Sequence, residues 1–292
     1  MANVKRKLPG NVDGDFFVDD SCIDCDQCRR IAPATFTDAG EQSVVYEQPS
    51  TPTQTAAALR ALITCPTASI GTLARHDPRP AIAAYPERIE ADVYFCGFAA
   101  ESSFGASSYL IVRPEGNVLV DSPRFASQLV KRIAAMGGVS TLFLTHQDDV
   151  ADHAKWAARF GARRILHARD VTAGTRDVEQ RLEGDAAVQL TPDLLAIPTP
   201  GHTAGHTVLL YRDRFLFAGD HLWWSPGRQS LWASRDVCWH SWSQQVRSVA
   251  RLLDYRFEWL LPGHGRWFNT AAGEMRAQVE RALERIQRRA AV

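Results

Sequence analysis

The sequence predicts an α/β (α+β) protein made of two successive parts. Two observations carry this prediction: four of the six cysteines lie in the first 65 residues, and eight of the nine histidines lie between His146 and His264. A third is that, beyond residue 90, apolar runs of strand length alternate with runs of helical spacing, which is typical of mixed α/β folds. The chain has 292 residues, about twice the ~150 residues of a common domain, and this length also favours two units.

Composition and charge narrow the classes of function. Hydrophobic residues make up 45% of the chain and charged residues 23%, the mix of a soluble globular protein. The 33 basic and 33 acidic residues cancel, so we expect no nucleic-acid partner. No apolar stretch reaches the ~20 residues of a membrane span and no secretory signal is evident, so we expect no membrane partner and a cytoplasmic location. In such a reducing compartment, closely spaced cysteines bind metal or carry out redox chemistry.

The cysteines of the first part have the spacing of an iron–sulfur site. Cys22-Ile-Asp-Cys25-Asp-Gln-Cys28 puts three thiols on one short loop, and Cys65 followed by Pro66 returns a fourth. A compact loop of cysteines and a remote Cys-Pro are the ligand pattern of a [4Fe–4S] cluster. Ala32 stands where a chain with two clusters would have a further cysteine, so one cluster is predicted. The alternative is a structural zinc site, although such sites usually use separated cysteine pairs.

The residues around these cysteines predict a small, regular domain. We expect strands over 16–18 and 42–46 and a helix over 55–63 that leads to Cys65. The stretch 16–71 resembles a single-cluster bacterial ferredoxin in Ala32-Pro33, Phe36 and the run 65–70. This resemblance implies one [4Fe–4S] cluster held by Cys22, Cys25, Cys28 and Cys65. Cys96 and Cys238 have no partner at ligand spacing and are expected to be buried as small hydrophobic residues.

Proline-rich residues separate the two parts. The stretch 76–80 and the pair Tyr85-Pro86 follow the last ferredoxin-like element, and we set the domains at 1–80 and 81–292. Beyond this boundary the patterns predict strands over 91–98, 108–113, 117–121 and 141–145. They also predict helices over 125–136, 241–254 and 271–290.

Four polar motifs in the second part each follow an apolar, strand-like run. They are the stretches 145–153, 200–206, 217–221 and 261–265, with the candidate ligands His146, His202, Asp220 and His264. Side chains at the ends of neighbouring strands can meet at one edge of a sheet. Histidine and aspartate without cysteine suit zinc, iron or manganese. The motifs therefore predict a metal site at a sheet edge.

With these motifs, residues 91–292 resemble the metallo-β-lactamase superfamily, which implies an αββα sandwich with one or two metal ions at its edge. His202, Asp220 and His264 match the family pattern. The first family motif, His-x-His-x-Asp-His, is altered, because Asp148 replaces the second histidine and Val150-Ala151 replaces the Asp-His pair. Either a two-residue insertion restores the pair as Asp152-His153, or the second metal is bound differently. The implied metal ligands are His146, Asp148, Asp152, His153, His202, Asp220 and His264.

Other polar and aromatic residues near these motifs have open roles. Asp149 is a ligand, an acceptor for a histidine or a helix N-cap. His206, His221 and His240 are expected near the pocket without binding metal. Five tryptophans follow Asp220 within 25 residues: Trp223, Trp224, Trp232, Trp239 and Trp242. They either form an aromatic wall that selects an apolar or aromatic substrate, cover the core, or dock against the ferredoxin-like part.

The combined resemblances imply a metal-dependent hydrolase with a fused ferredoxin domain. In this interpretation one or two divalent ions, zinc or iron, provide a metal-bound hydroxide that attacks an ester, thioester, lactone or phosphodiester bond of a small-molecule substrate, with Asp220 and His202 as catalytic residues. The first alternative is an oxidoreductase whose (di)iron site receives electrons from the cluster and a redox partner. The second is a non-catalytic redox or metal sensor.

Overall fold

The computed structural model describes residues 2–290 and contains both helices and strands in alternation. The helices are α1 Gln27–Ile31, α2 Pro52–Thr64, α3 Arg79–Ala83, α4 Ser127–Ala135, α5 His153–Phe160, α6 Trp242–Arg251 and α7 Ala272–Ala290. The strands up to residue 182 are β1 Phe16–Val18, β2 Phe36–Asp38, β3 Ser43–Val45, β4 Ile70–Thr72, β5 Glu87–Glu90, β6 Val93–Phe95, β7 Tyr109–Ile111, β8 Val118–Val120, β9 Thr141–Phe143, β10 Arg163–His167 and β11 Gln180–Leu182. The later strands are β12 Val188–Thr191, β13 Leu194–Pro198, β14 Thr207–Tyr211, β15 Phe215–Gly219, β16 Trp223–Ser225, β17 Ser230–Trp232, β18 Trp259–Pro262 and β19 Phe268–Asn269.

Among the described helices, none has both the length and the apolar character that a bilayer crossing requires. The chain forms two compact units. The first contains the residues up to Ser140 and the segment Ala151–Gly161, and the second contains Thr141–Val150 and the residues from Ala162 onward. The boundary predicted near residue 80 lies inside the first unit and stays a prediction.

The ferredoxin-like segment forms the beginning of the first unit. β1 pairs with β4 and β2 pairs with β3, in both cases antiparallel. Asn11 joins β1 to β3, because its Oδ1 accepts the backbone N–H groups of Val18 and Val45 at 2.9 and 3.0 Å. α2 begins three residues earlier than predicted because Thr51 and Gln54 form a capping box at its N-terminus. The remainder of the unit contains the antiparallel meander β5-β6-β7-β8.

The second unit contains the strands that carry the histidine motifs. β9, β10 and β11 are parallel, and a six-stranded sheet has the order β12-β13-β14-β15-β18-β19. Helices α6 and α7 pack on this sheet through Val249, Met275 and Val279, which belong to one buried core with Leu216 and Leu260. Burial of this apolar face is the main favourable term that holds the sheet and helices together.

Most predicted elements are confirmed, with ends that differ by one to three residues. The strand predicted over 91–98 is shorter in the structure, where it is β6 Val93–Phe95. It forms a hairpin with β5, which ends at Glu90 and was not predicted. Ala91 at the turn has a φ of 47°, a left-handed backbone that an extended strand does not allow.

Candidate metal centres

The four cysteines predicted to bind a cluster line one pocket of the first unit: Cys22, Cys25, Cys28 and Cys65. Cys22 and Cys25 lie in the loop before α1, Cys28 lies in α1, and Cys65 is the C-cap of α2. The loop is tight, since Asp24 and Asp26 both have left-handed backbones with φ of 58° and 65°. The structure therefore brings together side chains that are up to 43 residues apart in sequence.

The chemistry of this pocket fits an iron–sulfur cluster. The backbone N–H of Ser43 donates to Cys22 Sγ at 3.4 Å, and that of Ser69 donates to Cys65 Sγ at 3.3 Å. Such N–H···S bonds are one of the features that tune iron–sulfur clusters. Burial raises the pKa of Cys28 to about 12, so its thiolate needs a cationic partner such as iron to form at neutral pH.

The second candidate centre lies entirely in the second unit, at the ends of its strands. The residues that supply it follow β9, β13, β15 and β18, and they are His146, Asp148, Asp149, His202, Asp220 and His264. Two overlapping groups of these side chains could hold an ion: His146 with Asp148 and His202, and His146 with Asp149 and Asp220. Within each group the ligand atoms all lie within 4.8 Å of one another.

The distances between the donor atoms are close to those around a single ion. His146 Nε2 lies 3.9 Å from Asp148 Oδ2 and 3.7 Å from Asp220 Oδ2. His202 Nε2 lies 3.4 Å from Asp148 Oδ2 and 3.8 Å from Asp220 Oδ2. Metal–nitrogen distances of 2.0–2.1 Å in a tetrahedral site imply separations of about 3.3 Å between ligands. The arrangement is therefore slightly wider than a tetrahedral ligand set.

Hydrogen bonds engage the Nδ1 atoms of His146 and His202, so the Nε2 atoms are the ring nitrogens available to bind a metal ion. His202 Nδ1 contacts the carbonyl of Val237 at 2.6 Å, and since a carbonyl only accepts, Nδ1 carries a proton. His146 Nδ1 contacts Thr145 Oγ1 at 3.0 Å, and its buried Nε2 has no hydrogen-bond partner among the described residues. Burial lowers the pKa of His146 to about 4, so its imidazole is neutral at pH 7. A lone pair on Nε2 that faces carboxylates is the environment of a metal-bound histidine.

Asp220 is the most constrained carboxylate of the centre. Its oxygens accept from His264 Nδ1 at 2.8 and 2.9 Å, and its Oδ1 also accepts the His264 backbone N–H at 3.2 Å. Burial raises the pKa of Asp220, but the charges and hydrogen bonds of His264 and the neighbouring imidazoles outweigh it, and the net pKa is lowered. Gly263 allows this packing, because a Cβ there would lie 2.7 Å from Asp149 Oδ2 and 2.8 Å from Asp220 Oδ1. His264 thus contacts Asp220 and lies outside both candidate groups.

The structure places Asp152 and His153 in neither group of candidate ligands. Asp152 is the N-cap residue of α5, where it accepts the Phe125 backbone N–H at 2.8 Å and pairs with Lys155 at 2.7 Å. His153 is the first residue of α5 and is buried. Asp149 is not the N-cap, and it belongs to one of the two groups. Ligation by Asp152 and His153 stays a prediction from the resemblance.

Asp170 is a buried carboxylate beside the centre that was not predicted from the sequence. This carboxylate is 1% exposed and accepts hydrogen bonds from the Gln147 backbone N–H at 3.1 Å, the Thr203 hydroxyl and the Gly205 backbone N–H. Gln147 lies between His146 and Asp148, and Thr203 follows His202, so Asp170 fastens two ligand loops together. The sequence did carry a signal, because Asp170 follows the apolar end of β10 as the other motif residues follow their strands.

The remaining histidines take non-ligand positions. His206 Nδ1 contacts Thr199 Oγ1 at 2.9 Å, and its Nε2 accepts the Asp220 backbone N–H at 3.2 Å, so both ring nitrogens are in use. His221 is fully buried, which lowers its pKa to about 4. His240 is exposed. None of these three histidines belongs to either candidate group, and their supporting roles stay predictions.

The two other cysteines differ from each other. Cys96 is fully buried, as expected. Cys238 is only half-buried, because it lies in the exposed loop after β17 and its Sγ donates to the Gly201 carbonyl at 3.1 Å. The expectation of a buried Cys238 is therefore wrong.

The five tryptophans after Asp220 do not form one wall. Trp232 belongs to the core of the second unit, and Trp223, Trp224 and Trp242 pack against that core. Trp239 differs, because it is 65% exposed and its ring centroid lies 6.1 Å from that of His202. Its backbone N–H donates to the His202 carbonyl at 3.0 Å, which holds it beside the candidate metal centre.

A cysteine-lined cluster pocket and a separate His/Asp centre define an iron–sulfur metalloprotein with a hydrolase-like site. The family comparisons agree. The model described as the 4Fe-4S single cluster domain of Ferredoxin I matches residues 18–72, and that of the Metallo-beta-lactamase superfamily matches residues 103–264. The second match covers more than half of the chain, which therefore belongs to the metallo-β-lactamase superfamily and carries a single-cluster ferredoxin domain before it.

Individual relatives support the same assignment. Over 119 residues the chain is 32% identical to the hydroxyacylglutathione hydrolase of Acidiphilium cryptum, covering 39% of this chain and 48% of that protein. The chain thus spans about half the length of the curated relatives it matches. Among solved structures, a metallo-β-lactamase from Pontibacter korlensis aligns with a TM-score of 0.54 and 17% identity over 68% of this chain and 97% of its own.

The mono-zinc form of FIM-1 from Pseudomonas aeruginosa is a second structural match. It aligns with a TM-score of 0.52 and 16% identity over 68% of this chain and 93% of its own. At these identities the likeness concerns the fold alone. Together with the two family matches it confirms the predicted fold class, a ferredoxin-like domain followed by a metallo-β-lactamase fold.

Substitution of a ligand should empty the His/Asp centre without harming the cluster. We expect His202→Ala and Asp220→Ala each to weaken metal binding by more than the 10–100-fold typical of supporting residues, while the visible absorption of the cluster persists. Metal content per chain, measured by element-resolved analysis, checks this. His240→Ala, an exposed histidine in the adjacent loop, is the control and should retain the metal. Loss of cluster absorption in either ligand variant would contradict the division into two centres.

Asp170→Asn should weaken metal binding at the same centre, although Asp170 belongs to neither candidate group of ligands. The amide keeps one acceptor oxygen but places an NH2 group against the N–H and O–H donors of two ligand loops, so we expect about 10–100-fold weaker metal binding. Competition with a chelator measures this affinity. Asp185→Asn is the matched control, because Asp185 is an exposed partner of Arg169 and lies outside the centre. Equal affinities in the two variants would show that Asp170 has no positioning role.

Proposed function

We propose that this chain is a metal-dependent hydrolase that cleaves an ester or thioester bond of a small molecule. The observation that carries the proposal is the convergence of two imidazole Nε2 atoms and two carboxylates around one position: His146, His202, Asp148 and Asp220. The hydroxyacylglutathione hydrolase relative supports a thioester, since an acylglutathione is one. Lactones and phosphodiesters belong to the same wider set of candidate substrates.

The donor set favours one ion per centre. Both candidate groups contain His146. Its Nδ1 is engaged with Thr145, so only Nε2 remains, and a single nitrogen lone pair binds one ion. The proposed ligands are His146, Asp148, His202 and Asp220, with Asp149 as a further carboxylate beside them. Zinc and iron both accept such a set of nitrogen and oxygen ligands.

The residues of the chain then have defined roles. When bound, the ion would polarise the substrate oxygen and lower the pKa of a coordinated water toward ~7. His202 keeps its Nε2 directed at the reacting position, because Nδ1 is fastened to the Val237 carbonyl. Asp220 stays ionised and oriented through its hydrogen bonds with His264. Asp148 is the most open of these ligands, with its side chain 43% exposed, so substrate would enter on its side.

Trp239 offers a surface for the apolar portion of the substrate. The Trp239 ring is 65% exposed, so a ligand group that covers it removes apolar surface from water and makes the free energy of binding more favourable. Hydrogen bonds hold the loop that bears Trp239 against residues 201–202. The N–H groups of Trp239 and His240 both donate to the His202 carbonyl, and that of Ser241 donates to the Gly201 carbonyl. A substrate acyl group stacked on Trp239 would therefore be held at a constant distance from His202.

Removal of this ring should weaken binding and spare the chemical step. An aromatic contact of about 1–2 kcal/mol corresponds to a 5- to 30-fold rise in KM for Trp239→Ala, with kcat little changed. The measurement compares benzoyl and acetyl thioesters of one thiol. Trp239→Phe is the control and should keep most of the preference for benzoyl. An equal effect of Trp239→Ala on both substrates would exclude the ring as a binding surface.

A second candidate function is the reduction of oxygen or another small oxidant at iron in the same centre. Two observations favour it. The set of two histidines with carboxylates is the ligand type of non-haem iron(II) sites. The same chain also carries a cluster pocket, and a cluster is a one-electron carrier. In this case a redox partner would supply electrons to the cluster.

Cys25→Ser separates the two functions. We expect it to damage the cluster while thioester hydrolysis continues, because the hydrolytic residues lie in the second unit. Purification without oxygen, followed by iron and zinc analysis and by hydrolysis assays, checks this. Cys96→Ala is the control, since Cys96 is a buried cysteine outside the cluster pocket.

Loss of turnover in a folded Cys25→Ser variant would favour electron delivery by the cluster. Site iron with oxygen consumption from a reduced donor would support the same alternative. A fully metal-loaded wild-type chain with neither activity would support a sensor.

A further inference from the structure

The loop between β6 and β7 lies directly against the cluster cysteines. We call residues 98–107 the sealing loop. Its Gly105 packs on Cys25 so closely that a Cβ at Gly105 would lie 2.5 Å from Cys25 Cβ and 2.9 Å from Cys25 Sγ. The same Cβ would lie 3.2 Å from Pro66 Cγ, the residue that follows Cys65. Gly105 also has a φ of 81°, a backbone conformation that other residues rarely adopt.

Hydrogen bonds fasten the sealing loop to the cluster-binding segments. Gln27, which is 4% exposed and lies between Cys25 and Cys28, donates through Nε2 to the Gly105 carbonyl at 2.7 Å and to Ser107 Oγ at 3.0 Å. At the other end of the loop, the Ala99 backbone N–H donates to the Thr64 carbonyl at 3.2 Å, next to Cys65. The sealing loop is therefore bonded to Gln27, between Cys25 and Cys28, and to Thr64, directly before Cys65.

The orientation of Gln27 is itself fixed. Its Oε1 accepts from Arg30 Nη2 at 2.6 Å, so its NH2 group must face the sealing loop. The Arg30 guanidinium in turn lies over the Phe95 ring at 4.2 Å, at the end of β6. A buried amide with all its contacts satisfied is the mark of a built interface and not of chance packing.

We propose that the sealing loop is part of the cluster-binding site: Gly105 and Ser107 close the Cys25 side of the pocket against water. Gly105 and Ser107 lie outside the segment 18–72 that the ferredoxin model matches. They lie inside the segment 103–264 that the metallo-β-lactamase model matches. A segment matched by the metallo-β-lactamase model thus completes the cluster site, within the same compact unit as the cysteines. This inference does not depend on which reaction the His/Asp centre performs.

Exclusion of water has a consequence for the redox chemistry of the cluster. A cluster held by four thiolates is anionic, and its reduction adds a further negative charge. Water stabilises that charge and a dry wall does not, so solvent exposure is one of the factors that set the potential. A sealed Cys25 side therefore lowers the reduction potential, and an opened one raises it. The same seal limits access of oxygen to the cluster.

Gly105→Ala tests the steric part of the proposal in the full-length protein. The added methyl group must displace Cys25 or the loop, so we expect lower iron and sulfide content per chain, or a cluster that decays faster in air. The metal content of the His/Asp centre serves as an internal reference and should not change. Gly116→Ala is the matched control, because Gly116 also has a positive φ, of 111°, and its Cβ would crowd Ser140 Oγ at 2.4 Å, away from the cysteines.

Ser107→Ala tests the seal without adding an atom, should Gly105→Ala fail to fold. It removes one acceptor of Gln27, so we expect an assembled cluster with a more positive reduction potential and a shorter lifetime in air. Ser103→Ala, in the same loop, is the control. Both potentials are read by redox titration of the visible absorption of the cluster. Wild-type cluster content, potential and air lifetime in Gly105→Ala and Ser107→Ala would overturn the proposal.

Discussion

The His/Asp centre of this protein depends on one electrostatic constraint: imidazole nitrogens and ionised carboxylates meet in a largely buried site. Burial lowers the pKa of His146 to about 4, so this imidazole is neutral at pH 7. Burial also lowers the pKa of His202, but the hydrogen bond to Asp148 and the charge of Asp220, which face its Nε2, outweigh burial, and the net pKa is raised. Carboxylates that face one buried position repel one another unless a cation lies between them, either a metal ion or a protonated imidazole. The surrounding loops hold these imidazoles and carboxylates in position.

The loops achieve this with groups that bind no metal. Asp170 accepts hydrogen bonds from residues of two ligand loops, and His206 accepts the backbone N–H of Asp220. Gly263 leaves room where any side chain would meet Asp149 and Asp220. The hydrogen bonds of Asp170 and His206 give partners to buried backbone and side-chain groups. The same hydrogen bonds therefore stabilise the loops and position the candidate ligands.

The cluster pocket likewise depends on residues that bind no metal. The cluster pocket is formed by two segments of the ferredoxin-like part, and the sealing loop adds a third wall through Gly105 and Gln27. The ferredoxin-like segment has a buried apolar core of its own, which includes Phe16, Phe36 and Ala61. The first unit also includes the meander β5-β8.

The sequence by itself determined which donor groups each centre contains. Cysteine spacing predicted the four cysteines that the structure brings to one pocket, and histidine and aspartate after apolar runs predicted that His146, His202 and Asp220 lie together, because residue type and position after a strand are local properties. Only the tertiary structure decided which neighbours complete each centre. Asp170 and Gly105 lie far in sequence from the groups they contact. Trp232 belongs to the core, whereas Trp239, seven residues later, is 65% exposed. Such contacts depend on how distant loops meet, which local patterns of residues do not encode.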